Sequence, residues 1–385
     1  MAIKTEEVLK VGQGEFELNR LPKRPLELLR AWDAADEYLL DTLAEDLKPS
    51  ADARIVIFND SFGALAVALS SFQPHAVSDS FLSQQATRFN LTINGLPERS
   101  VTLINSLEPL QGMYDLVLIK VPKTLALLED QLIRLQPHLL SSTQIILAGM
   151  IKALPPSIWK MLERLVGPTT TALARKKARL IFATPDPELA IPVNPYPVCY
   201  RLEGSEYLIS NHANVFSRDS LDIGTRFFLQ HLPTRQDTCD IVDLGCGNGL
   251  LGLMAAERNP AATIHFVDES FMAVASAREN FYRAFGQVRT ATFRVGDGLK
   301  DFDAASADLI LCNPPFHQQN AVGDQIATNM FKESRKILKK GGELWVIGNR
   351  HLNYHVNLNR LFGTHSIVAS NAKFVILRAL VTNLT

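Results

Sequence analysis

Short strand-like apolar runs, each closed by small or polar residues, alternate along this chain with stretches whose apolar positions recur at helical spacing. That alternation predicts α/β domains built on mostly parallel sheets. The pattern is written twice. Residues 241–253 (IVDLGCGNGLLGL) read as a strand, a Gly-rich turn and a helix start, and residues 55–67 (IVIFNDSFGALAV) repeat the arrangement. Residues 267–281 (VDESFMAVASARENF) are echoed by 78–91 (SDSFLSQQATRFNL), with Asp268 and Asp79 each expected to end a strand. Residues 307–316 (ADLILCNPPF) are echoed by 114–123 (YDLVLIKVPK). Three echoes in the same order imply a duplicated domain. Between the copies, residues 185–197 carry five prolines, whose fixed φ and missing N–H suit neither a helix interior nor a central strand. The expected boundaries are 1–184 for the first domain, 185–205 for a Pro-rich linker and 206–385 for the second.

Composition agrees with this picture and narrows it. A chain of 385 residues, 46% hydrophobic and 21% charged, can bury a core in each of two domains and is neither disordered nor fibrous. No apolar run approaches a membrane span, and the N-terminus lacks the apolar segment and cleavage site of a secretory signal. A cytoplasmic location with no membrane partner is expected, and nothing implies a protein partner. Cys199, Cys239, Cys246 and Cys312 lack the spacing of zinc ligand pairs, so reduced thiols and no metal are expected. The formal net charge of −1 argues against indiscriminate coating of nucleic acid. The charge is uneven, however: between residues 151 and 180, seven basic residues (Lys152, Lys160, Arg164, Arg175, Lys176, Lys177, Arg179) stand against one acid, Glu163. Residues 173–179 are either a solvated helix face or an RNA contact.

The chemistry gathers in the second copy. The run from Asp243 to Gly249 places Gly245, Gly247 and Gly249 at alternate positions after a strand, a turn a nucleotide can approach closely. Asp268 ends the next strand, where a carboxylate can accept both hydroxyls of a ribose. Asp297, at the end of a strand spanning 291–298, can accept from an adenine amino group. Together these predict an adenosine-bearing cofactor. Asn313, Pro314, Pro315 and Phe316 follow the fourth strand. The two prolines remove N–H donors and leave acceptors, which is what an exocyclic amine needs: the Asn313 side-chain oxygen and the Pro314 carbonyl for its two N–H groups, and the Phe316 ring to stack on the base. No metal or activated base is required, and His317 is read as solvated. Upstream, Asp222, Gly224 and Thr225 form a polar turn before a helix, with N–H groups expected to face the cofactor. The first copy has Asn59 and Ser61 in place of Gly245 and Gly247, and Lys120 and Lys123 in place of Asn313 and Phe316. It is expected to have lost the chemistry and, with Lys120, Lys123, Arg175, Lys176, Lys177 and Arg179, to bind RNA.

These motifs resemble the class I, Rossmann-like, S-adenosylmethionine-dependent methyltransferases of the "small" ribosomal RNA group. Over nearly the whole chain the sequence is similar to the bacterial enzymes of that group that make N2-methylguanosine in 23S rRNA. The similarity is carried by residues 31–40 (AWDAADEYLL), 120–129 (KVPKTLALLE), 167–181 (GPTTTALARKKARLI), 211–228 (NHANVFSRDSLDIGTRFF) and 312–319 (CNPPFHQQ). The resemblance implies two tandem Rossmann-like domains, the first degenerate and the second catalytic. The second should have a seven-stranded sheet whose edge hairpin comes from residues 365–381. It also implies S-adenosyl-L-methionine as cofactor, guanine N2 as acceptor and 23S rRNA as partner. The alternatives are a 16S rRNA guanine-N2 enzyme, which the segments 120–129 and 167–181 disfavour, an adenine-N6 or protein-glutamine methyltransferase, and an RNA-binding protein without activity.

Overall fold

The structure is a computed structural model that describes residues 7–23, 27–235, 237, 239–315 and 321–382. It divides into two units, Met1–Tyr196 and Pro197–Thr385. The first begins with a hairpin, β1 (Val8–Val11) and β2 (Gly14–Glu17), and helix α1 (Ala34–Thr42). There follow β3 (Ile55–Phe58), α2 (Ala64–Ala68), β4 (His75–Ser78), α3 (Phe81–Ile93), β5 (Thr102–Asn105), β6 (Tyr114–Lys120), α4 (Leu125–Leu135), β7 (Leu139–Met150), α5 (Ser157–Leu165), β8 (Thr169–Thr171) and β9 (Ala178–Ala183).

The second unit runs through the same order. It has a hairpin, β10 (Val198–Arg201) and β11 (Leu208–Asn211), then α6 (Ile223–Leu229), β12 (Asp240–Leu244), α7 (Leu250–Arg258), β13 (Thr263–Asp268), α8 (Phe271–Phe285), β14 (Ala291–Val295), β15 (Ala307–Cys312), α9 (Ala321–Ile337), β16 (Leu338–Asn349), α10 (Tyr354–Phe362), β17 (Ser366–Ser370) and β18 (Phe374–Leu380).

Each unit holds a seven-stranded sheet, ordered β5-β4-β3-β6-β7-β9-β8 in the first and β14-β13-β12-β15-β16-β18-β17 in the second. Five strands of each are parallel, and the last two form an antiparallel hairpin at one edge. The central parallel strands are covered on both faces, so they read as unbroken apolar runs instead of alternating ones. On β12, Ile241 and Val242 point to opposite sides and enter two separate cores. Each such fully buried aliphatic contributes about 1.5–3 kcal/mol. In unit 2 the chain steps outward from β12 through β13 to β14 and then returns to β15 on the other side of β12. That reversal opens a crevice at the strand ends where ligands of open α/β sheets bind.

Two expectations need correction. Strand β10 lies within the stretch expected to be linker, pairs antiparallel with β11 and belongs to the second unit. Prolines 192, 195 and 197 stop just short of it. Residues 173–179 are not a helix face. Arg175 and Ala178 exchange backbone hydrogen bonds of 2.9 and 2.8 Å around Lys176 (φ 48°) and Lys177 (φ 63°), the two-residue type I′ turn of a hairpin. Ala178 and Leu180 are buried beyond it at the alternate spacing of a strand. Among the described residues, no helix is long and apolar enough to cross a membrane.

Candidate active site

The Gly-rich turn joins β12 to α7 at the crevice. Gly245, Gly247 and Gly249 all have positive φ (71°, 53° and 77°), a region that disfavours residues with a Cβ. A Cβ on Gly249 would lie 2.6 Å from the Cβ of Ala277 on α8, so this glycine sets how closely the turn packs on that helix. Gly247 instead faces open space, with nothing within 4 Å of where a Cβ would stand. Asn280 fastens the turn from beneath, donating to the Asn248 and Ser210 carbonyls, both at 2.9 Å. Asp268 at the end of β13 accepts from the Gly247 N–H through Oδ2 (2.9 Å) and from the Ser270 N–H through Oδ1 (3.0 Å). The helix cap itself is Ser270, which accepts from the Ala273 N–H. Asp268 is thus held at the mouth of the turn, next to the open space. Asp243 accepts from the Gly252 N–H at 2.8 Å through Oδ2, while its buried Oδ1 accepts nothing from any described residue. Burial, aided by the charge of Asp268, pushes its carboxyl up to about 8. Strand β14 ends at Val295, earlier than expected, and Asp297 sits in the turn beyond it, paired with Lys300.

The acceptor loop leaves β15 beside this cradle. Asn313 donates from Nδ2 to the Thr225 hydroxyl at 3.1 Å, and its Oδ1 is buried yet accepts no hydrogen bond from any described residue. Pro314 is buried and Pro315 exposed; Phe316 and His317 lie outside the described residues. Asp222 is the N-cap of α6 rather than part of a free turn, and Gly224 and Thr225 lie in the first turn of that helix. The Thr225 N–H goes to Asp222 Oδ2 at 2.8 Å and is therefore not available to a ligand. Phe228 and Leu232 anchor this segment in the core, with Leu229 partly buried against them.

The same place in unit 1 explains what duplication has altered. Register aligns the copies without ambiguity: Phe58 pairs with Ile119 as Leu244 pairs with Cys312, so Lys120 stands where Asn313 stands. Val77 pairs with Phe58 as Val267 pairs with Leu244, so the counterpart of Asp268 is Ser78 and not Asp79. Asp79 follows β4 and accepts from Ser106 at 2.5 Å. Asn59 (φ 63°) and Gly63 (φ 79°) keep the positive φ of Gly245 and Gly249, because Asn tolerates the left-handed region, but Ser61 lacks the positive φ of Gly247, so only the two ends of the turn are kept. Side chains fill the space instead. Asn59 and Gln131 exchange two amide hydrogen bonds of 2.9 and 2.8 Å. Asp60 accepts from the N–H groups of Ala64, Leu65 and Ala66 at the start of α2, occupying the helix terminus with the chain's own carboxylate. Burial and the nearby charge of Asp36 raise Asp60 to about 6. The cavity left beside Asp60 measures about 10 Å³, barely one water.

Lys120, expected to face RNA, is buried and ion-paired with Asp33 at 2.8 Å and Asp36 at 2.7 Å. Burial alone would lower its ammonium, but Asp36 and Asp33 hold it above its ordinary value. Of the other basic candidates, Arg175 pairs with Asp41 and Lys176 with Glu37, while Lys123 and Lys177 are exposed. Arg179 is half-buried. Sequence reasoning missed Asn280 and its counterpart Asn90, which donates to the Phe62 and Asn19 carbonyls. The shared Arg-x-Asn of the two copies, at 88–90 and 278–280, was the signal.

Comparison with known proteins agrees with this architecture. Residues 6–187 match the RLMG N-terminal domain model and residues 206–378 the methyltransferase small domain model. The chain is 49% identical over 375 residues to ribosomal RNA large subunit methyltransferase G of Streptomyces griseus subsp. griseus, covering 96% of this chain and 98% of the relative. It is 52% identical over 365 residues to the protein of that name from Ectopseudomonas mendocina, covering 94% and 97%. Among solved structures, a T. thermophilus 16S rRNA N2 methyltransferase in complex with AdoMet and guanosine superposes with a TM-score of 0.74 at 21% identity, over 97% of both chains. That likeness shows the tandem fold. With half the residues shared with its relatives from end to end, and both domain models met in order, the chain belongs to the ribosomal RNA large subunit methyltransferase G family.

Proposed function

We propose that the second unit transfers a methyl group from S-adenosyl-L-methionine to the exocyclic N2 amine of a guanine in 23S rRNA, in the cytoplasm, and that the first unit recognises the RNA. The observation that carries this reading is the buried Oδ1 of Asn313, which accepts a hydrogen bond from no described residue. A buried acceptor without a donor costs about 1–3 kcal/mol, and an incoming N–H offsets that cost. The open space over Gly247, the carboxylate of Asp268 and the buried Asp243 fit the cofactor. Asp243, Gly245, Gly247, Gly249, Asp268 and Asp297 would hold it. The cofactor supplies an electrophilic methyl on a sulfonium sulfur.

The remaining chemistry belongs to the chain's own residues. Asn313 Oδ1 and the Pro314 carbonyl accept the two N–H groups of the amine, turning its lone pair from the ring toward the methyl; stacking by Phe316 is an expectation from the motif. Once methylated, the cationic nitrogen would lose one of these two protons to water, so no side chain is needed as a base. Alignment supplies most of the acceleration. In the first unit, the Asn59–Gln131 pair and Asp60 occupy the cradle, and Lys123, Lys152, Lys160 and Lys177 remain exposed. The test is to incubate the protein with labelled cofactor and, separately, naked 16S rRNA, naked 23S rRNA and intact subunits, then digest and identify the nucleoside. N2-methylguanosine from 23S rRNA is expected; label confined to 16S rRNA, adenine or protein would overturn the proposal.

A further inference from the structure

The Asn313 amide could in principle face the acceptor with either end, and only one end is useful. An amide offers a carbonyl acceptor on one side and two N–H donors on the other. With its NH2 toward the substrate it would meet an amine donor to donor. The residues behind it decide which end faces out. Thr225 Oγ1 lies 3.3 Å from Asp222 Oδ2 and 3.1 Å from Asn313 Nδ2. A carboxylate can only accept, so the single hydroxyl proton of Thr225 goes to Asp222, and Thr225 can then only accept from Asn313. Turning the amide over would set its oxygen against a hydroxyl oxygen with no proton left to give. The Thr225 N–H, also on Asp222 Oδ2 at 2.8 Å, locks the carboxylate to the first turn of α6.

We infer that Asp222 and Thr225 are positioning residues that fix the Asn313 amide with its oxygen toward the acceptor nitrogen, so that the site selects a hydrogen-bond donor as substrate. The inference rests on the proposed amine chemistry. It reassigns two residues that the sequence had placed against the cofactor. Unit 1 carries the same three positions rewritten in charge: Asp33 is the N-cap of α1, Asp36 is the third residue of that helix as Thr225 is of α6, and Lys120 replaces Asn313. There the third residue has become a second carboxylate and the loop residue a cation, so no amide is present to be oriented. The geometry is kept in both copies, but only a neutral hydroxyl in the middle produces an oriented amide.

The experiment uses full-length protein, saturating cofactor and whichever RNA the parent methylates. Thr225→Val is expected to lower single-turnover rate about ten- to thirtyfold, the equivalent of one hydrogen bond and its orientation, with the cofactor Kd unchanged. Thr225→Ser should recover the rate to within about threefold of the parent, the hydroxyl being restored. Asp222→Asn keeps the cap, since Asn caps as well as Asp. The amide oxygen that caps the Thr225 N–H is the same atom that receives its hydroxyl proton, so rate and melting temperature should both stay within about twofold and about a degree or two of the parent. In an Asn313→Ala background, Thr225→Val should cost nothing further. A Thr225→Val rate within about twofold of the parent, an additive double mutant, or a loss that appears in cofactor Kd instead of rate would overturn the relay. Failure of the parent protein to methylate any RNA would overturn the proposed function instead.

Discussion

Replacing Asn313 by alanine should separate activity from stability, because the side chain is a burden to the unliganded fold and an asset only when substrate is bound. In the free protein Asn313 makes one hydrogen bond, from Nδ2 to Thr225, and carries a buried oxygen without a described donor. Losing the first costs about 1 kcal/mol, and removing the second recovers about 1–3 kcal/mol. The residue lies only partly buried at an open crevice, so truncation leaves no sealed cavity to add a further penalty. The net change should lie between about 0 and 2 kcal/mol in favour of the mutant, or a melting temperature unchanged to a few degrees higher, at about 2–4 °C per kcal/mol for a unit of this size. Turnover should move the other way. In the proposed function the lost acceptor would face charge that develops on nitrogen, and removing one such preorganised dipole elsewhere costs about 10²–10³ in rate. Single-turnover methyl transfer at saturating RNA and cofactor, beside a thermal melt, reads both. Should the melting temperature drop by several degrees together with activity, Asn313 would be a structural residue and the assignment would fail.

Asp268→Ala should weaken cofactor affinity about ten- to a hundredfold, the ribose hydroxyls losing a charged acceptor worth about 1.5–3 kcal/mol; an unchanged calorimetric Kd would leave Asp268 only as a brace for the Gly247 N–H. Lys120→Met strands the buried Asp36 while the half-exposed Asp33 keeps solvent, and should destabilise unit 1 by less than the cost of breaking a fully buried pair, about 3–5 kcal/mol, without altering cofactor affinity, whereas a stable mutant with weakened RNA binding would restore Lys120 as an RNA contact. Lys176→Asn with Lys177→Gly installs the favoured type I′ pair, so the hairpin should become more stable while the log–log salt slope of RNA binding falls by about 0.7–0.9 per lost phosphate contact; an unaltered slope would assign that tip to solvent. Asp243 has a carboxyl raised to about 8 in the fold against 3.8 for the free group, so the stability it contributes is full below the lower value and is lost as pH rises through the upper one. Denaturation of the cofactor-free protein should show that decline and Asp243→Asn should flatten it; a parent curve without slope would refute the buried protonated acid.

The fold was legible because duplication left the same grammar in two places. Gly63 and Gly249, Ser80 and Ser270, Asn90 and Asn280 each perform one local task in both copies, and their spacing survives in the letters. What misled was side-chain direction. Asp79 looked like the partner of Asp268 because both are acids near a strand end, but only ladder register shows that Ser78 occupies the position. Lys120 looked like a cation offered to RNA because a sequence does not display the two carboxylates of α1, more than eighty residues earlier, that receive it. The tip at Lys176 and Lys177 resembled a helix face because no glycine or asparagine marks the turn. That no described residue donates to the buried oxygen of Asn313 could not be read from sequence at all, since it depends on the surroundings in space.

The filled cradle of unit 1 has a thermodynamic consequence. With Asn59 joined to Gln131, Asp60 to the start of α2 and Lys120 to its two acids, that half supplies from its own chain the polar partners at the place where the other half takes a cofactor. The other half is open. Its folding free energy includes whatever the cofactor adds, about 2.7 kcal/mol when free ligand stands at a hundred times its Kd. Two copies of one architecture thus answer to different variables: the concentration of this metabolite enters the stability of the second and not of the first.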